Sequence, residues 1–71
     1  MDEKEIKQEL VNLLNAYDTV EPEYRYDAET DQIYLGYTEL SYGRAMRLLL
    51  HARNELQVGI ESIDGWLNSR L

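Results

Sequence analysis

Apolar residues recur along this chain at helical spacing near both ends and in alternation between them. Ile6, Leu10, Leu13, Leu14 and Tyr17 fall at i, i+4, i+7, i+8 and i+11, the one-sided pattern of a helix with 3.6 residues per turn. Asp2, three residues before Glu5, supplies a capping signature, so this helix is expected over about residues 3 to 17. Acidic Asp2, Glu3 and Glu5 suit the positive end of its macrodipole, and Glu3 with Lys7 is a favourably ordered i, i+4 pair. The period is lost at Asp18-Thr19-Val20-Glu21-Pro22, where proline forbids continuation.

Alternation takes over next. Tyr24-Arg25-Tyr26 and Gln32-Ile33-Tyr34-Leu35-Gly36-Tyr37-Thr38 read as two strands around the turn Asp27-Ala28-Glu29-Thr30-Asp31, which predicts an antiparallel hairpin. Asp27 can accept bonds from its own turn, and Asp31 is a residue that tolerates the left-handed region. Tyr26 then opposes Ile33, and Tyr24 opposes Leu35. With Tyr37 these residues form an apolar face, while Arg25 and Tyr34 share the outer face at cation–π range. Tyr24, at the open end of the ribbon, is expected half-buried. A two-stranded ribbon is unstable alone, so it must lie on helices, with both long edges left open.

The longest periodic run is Ser41 to Leu56. Ala45, Leu48, Leu49, Ala52 and Leu56 make one stripe, widened by Tyr42, Met46 and Leu50, and Ser41 is a fitting N-cap. The opposite face carries Arg44, Arg47 and His51. Beyond Gly59, helical spacing resumes through Ile60, Ile63, Trp66, Leu67 and Leu71. Either Gly59 separates two helices, the second capped by Ser62, or one helix runs from Tyr42 to Ser69. The continuous helix would be about 42 Å long, more than so small a domain can cover. Gly59 and Gly65 favour the break. The expected architecture is a single α+β domain over residues 1–71, ordered α-β-β-α-α, with a two-stranded hairpin packed on two or three helices.

Length and composition narrow the class. Seventy-one residues bury only about 60% of the surface their unfolded chain exposes, so stability is thin and a homodimer is one way to supply missing core. The chain has no cysteine, hence no disulfide, thiolate zinc site or thiol nucleophile, and a reducing cytoplasmic setting fits. No apolar run approaches the roughly 18 residues of a membrane span, and Met-Asp-Glu-Lys-Glu is the wrong opening for a signal peptide.

Charge is unevenly placed within the net −7. Residues 1–40 set eleven carboxylates against Lys4, Lys7 and Arg25, a net of −8, whereas residues 41–71 come to +1. Such a surface repels phosphates and attracts basic protein patches.

Candidate chemistry is sparse. His51 is the sole histidine, and without cysteine or a nearby serine it builds neither a nucleophilic triad nor a multi-histidine metal site. Ser41, Ser62 and Ser69 lie in no Gly-x-Ser-x-Gly elbow. Asp27-x-Glu29-x-Asp31 matches the first half of a calcium loop, but Gln32 and Thr38 stand where the glycine and the bidentate carboxylate belong. No glycine-rich phosphate cradle occurs. No enzyme activity, cofactor or metal is therefore expected.

The six tyrosines, with no phenylalanine, are more informative. Tyrosine suits a half-buried ring with a wet hydroxyl, a description that fits both the rim of a small core and an interface. The expectation is a non-enzymatic interaction module or inhibitor whose acidic face binds a basic site on a larger protein through Tyr24, Tyr34, Glu21, Glu23, Glu29 and Asp31. Small acidic cysteine-free chains are common among inhibitors encoded by phages and mobile elements, some of them nucleic-acid mimics; that association rests on size and charge alone. The alternative is a structural homodimer or a small regulator contacting nucleic acid through Arg44, Arg47 and His51, with Arg53 beside them.

Overall fold

Asp2 begins the first helix as its sequence suggests: its carboxylate accepts a 2.9 Å bond from the Glu5 amide, ahead of α1 (Glu3–Tyr17). The computed structural model describes residues 2–18, 23–56 and 60–69. After α1 come strands β1 (Tyr24–Asp27), β2 (Gln32–Leu35) and β3 (Thr38–Leu40), then helices α2 (Tyr42–Glu55) and α3 (Ile60–Ser69). The class is α+β, as expected.

The hairpin of β1 and β2 has the expected register, Tyr24 opposite Leu35 and Tyr26 opposite Ile33. Asp31 occupies the left-handed region with φ 58°, and the Asp27 carboxylate accepts from the Glu29 amide at 3.0 Å, so both acids shape the turn. The second strand ends sooner than its alternation suggests. Gly36, at φ 63°, is the first central residue of a two-residue loop closed by Leu35 and Thr38, the position where a type II′ turn requires glycine. The chain reverses there, and the sheet has three strands in the order β1-β2-β3 rather than two. Tyr37 is consequently not on the inner apolar face. It sits at the loop tip, fully exposed.

Ser41 caps α2, its hydroxyl accepting from the Arg44 amide at 3.2 Å. Ala45, Leu49 and Ala52 are buried as the stripe requires, whereas Leu50 is 40% exposed because it lies too far round the helix to reach the core. Two helices, not one, fill the C-terminal part. Helix α2 ends at Glu55 and α3 begins at Ile60; Gly59 itself lies outside the described residues. Ser62 falls inside α3 rather than at its cap.

The inner sheet face meets the helices around Leu10, Leu14, Ile33, Leu49 and Ile63, the most enclosed side chains, with Val11, Tyr24, Leu40, Ala45 and Trp66 completing the core. Each large aliphatic enclosed there contributes roughly 1.5–3 kcal/mol of transfer free energy. Arg53 and Asp64 join α2 to α3 through two bonds, from Nε at 2.5 Å and from the second guanidinium nitrogen at 3.0 Å. Helices back one face of the sheet, and among the described residues the opposite face carries the exposed Arg25 and Glu39.

Candidate interaction face

Tyr24 and Tyr26 give their hydroxyls to bonds inside the fold. The Tyr24 ring is 3% exposed and its hydroxyl donates a 2.6 Å bond to Asp18, just past the end of α1. This corrects its expected half-burial and removes it as a partner contact: the ribbon's end is closed by α1, not open. Tyr26 donates to the Asp31 carboxylate at 2.6 Å, and the Lys7 ammonium reaches the same carboxylate at 2.9 Å and the Asp31 carbonyl at 3.2 Å. Lys7 thus pairs across the fold with Asp31 instead of along the helix with Glu3. Asp31, expected at a partner interface, anchors the β1–β2 turn to α1 and keeps a partly exposed side chain.

These contacts shift the titrations in opposite directions. The Tyr26 hydroxyl first and Lys7 second hold the Asp31 carboxyl below its usual range. Its bond to Asp31, aided by desolvation, pushes Tyr26 up to about 12, and burial with the Asp18 bond pushes Tyr24 higher still. A raised folded pKa contributes stability that is complete below the ordinary tyrosine value of about 10 and is lost as pH rises through the folded value. Circular dichroism should therefore show alkaline unfolding setting in between about pH 10 and 12, and the paired variants Tyr24→Phe and Tyr26→Phe should flatten that limb. An unchanged limb would separate these hydroxyls from alkaline stability.

Of the remaining candidates, Tyr34 lies on the outer sheet face. Arg25, opposite Tyr34 in register, stacks over its ring at 4.4 Å, the expected cation–π pair. Glu39 lies opposite Tyr34 on the other side, so Arg25, Tyr34 and Glu39 form one row across the sheet. Glu23 and Glu29 are exposed at opposite ends of β1, and Glu21 lies outside the described residues. Five carboxylates and one arginine occur between residues 23 and 41. Tyr37 and Glu39 were not anticipated here. The glycine before Tyr37 was the available signal for a loop tip, and it was outweighed by unbroken alternation.

The alternative basic face is smaller than its residues suggest. Arg44, Arg47 and His51 line a shallow surface depression of about 430 Å³ together with Leu48. His51 lies 3.5 Å from Glu55, and Arg53 is taken by Asp64. Among the described residues, no three histidine or carboxylate side chains gather as a metal ion would need, and no helix is long and apolar enough to cross a membrane. No family model, curated protein or solved structure matches the chain.

Proposed function

We propose that this chain is a non-enzymatic interaction module, of the inhibitor kind, whose acidic outer sheet face binds a basic site on a larger protein. The observation that carries the reading is the cross-strand row of Arg25, Tyr34 and Glu39 on the outer sheet face, with the fully exposed Tyr37 at the adjoining loop tip and Glu23 and Glu29 exposed at either end of β1. Exposed aromatic rings supply contact area at low entropic cost, and surrounding carboxylates steer a cationic partner. Tyr24 contributes no surface to this face because its ring is buried, while Asp31 keeps a partly exposed carboxylate beside its bonds to Tyr26 and Lys7.

The test is capture on the immobilised chain at low and high salt, followed by affinity measurement on the captured protein. A basic protein should be retained and should weaken with salt. Tyr34→Ala and Tyr37→Ala should each weaken it by about 1 kcal/mol or more, roughly fivefold, with the melting curve nearly unchanged because neither ring is in the core. Binding that survives both substitutions would place the interface elsewhere, with the Arg44 and Arg47 helix face the next to vary.

A further inference from the structure

The backbone bonds show which sheet edge is open. Asn15 on α1 uses its side-chain amide like a short strand: Oδ1 accepts from the Tyr24 amide and Nδ2 donates to the Tyr24 carbonyl, both at 2.9 Å. Both backbone groups of Tyr24 therefore point away from β2, which makes Tyr24 and Leu35 a non-hydrogen-bonded pair. The 3.2 Å bond from the Gly36 amide to the Glu23 carbonyl fits that phase. Alternation then sends the backbone groups of Tyr34 toward β1 and those of Ile33 and Leu35 toward β3. On β3 the inward bonds belong to Thr38 and Leu40, and the amide and carbonyl of Glu39 point outward. Thr38 and Glu39 are exposed, and no hydrogen bond to the Glu39 backbone occurs among the described residues.

We propose that the partner adds an extended, basic strand antiparallel to β3, exchanging two backbone bonds with Glu39 and placing a lysine or arginine directly across from its carboxylate. This rests on the acidic-face reading above and assigns its partner's form. A residue opposite Glu39 projects on the same side of the sheet, so its cation joins the row of Glu39, Tyr34 and Arg25. The charge of the edge selects the occupant. A second copy pairing symmetrically about Glu39 would set two glutamates face to face, which like-charge repulsion disfavours, while a cationic strand meets attraction. Main-chain bonds then give affinity, and the side chain set across from Glu39 gives selectivity.

The probe is a nine-residue peptide alternating lysine with valine and threonine, compared with the same peptide N-methylated on alternate amides. Amide NMR on the full chain should show the unmethylated peptide shifting Thr38 to Leu40 and slowing exchange of the Glu39 amide. Glu39→Pro removes only an outward N–H, a substitution edge strands tolerate, and should weaken binding about tenfold or more with the fold intact. Glu39→Gln keeps the backbone and loses the charge, so it should weaken binding less and reduce its salt dependence. Equal binding of the methylated peptide, or of Glu39→Pro, overturns strand addition and leaves the acidic face binding by charge. If the native chain binds neither peptide even at low salt, both readings fall. A shift in sedimentation to a dimer without peptide would assign the edge to a second copy and overturn the proposal.

Discussion

Leu49→Ala should cost about 2–5 kcal/mol and abolish the cooperative thermal transition near room temperature. Leu49 is fully enclosed at the middle of α2, in one cluster with Leu10, Leu14, Ile33 and Ile63, so truncation leaves a cavity facing both helix and sheet. A domain of this size holds only about 3–5 kcal/mol from its single core, which makes the loss comparable to the whole. The comparison is Leu50→Ala one residue along, where 40% of the side chain is already in water and the cost should stay near 0.5 kcal/mol. Urea unfolding of both variants decides the matter. Equal losses would mean that the face of α2 turned to the core has been misassigned.

How far the sequence foretold this arrangement depends on the range of the interaction. Helix caps at Asp2 and Ser41 and the left-handed Asp31 rest on residues within a few positions of one another, the pairing of Tyr24 with Leu35 follows from the short turn between their strands, and all were legible. The third strand was not: β3 is three residues long, and the loop that makes it has only Gly36 to announce it. Contacts made across the fold were invisible for a different reason. A lysine at i, i+4 from a glutamate is equally consistent with a helical pair and with the bond Lys7 makes to Asp31, 24 residues away. Tyrosine composition likewise could not divide the rings. Tyr24 and Tyr26 need their hydroxyls for Asp18 and Asp31, whereas Tyr37 needs nothing from the fold. The proposed interaction face depends on that division, and its most exposed aromatic, Tyr37, is one the alternation had assigned to the interior.

Asn15→Ala should cost about 1–3 kcal/mol even though Asn15 itself is exposed. The loss comes from Tyr24, whose backbone amide and carbonyl both bond to the Asn15 side chain in a partly buried setting and would lose their partners. Asn15→Asp keeps an acceptor for the Tyr24 amide but sets a carboxylate oxygen against its carbonyl, so one bond is retained and the other becomes repulsive. Asn12→Ala is the matched control: the Asn12 side chain bonds Gln8 on the exposed surface, and its removal should be nearly neutral. The Tyr24 amide proton is the direct reporter. Its hydrogen exchange should accelerate in Asn15→Ala beyond the change seen at the Ile33 amide, because the edge of β1 opens before the sheet does. If Tyr24 exchange and the Ile33 amide move together, Asn15 acts only on global stability, and the closure of this edge must be ascribed to the packing of α1 as a whole.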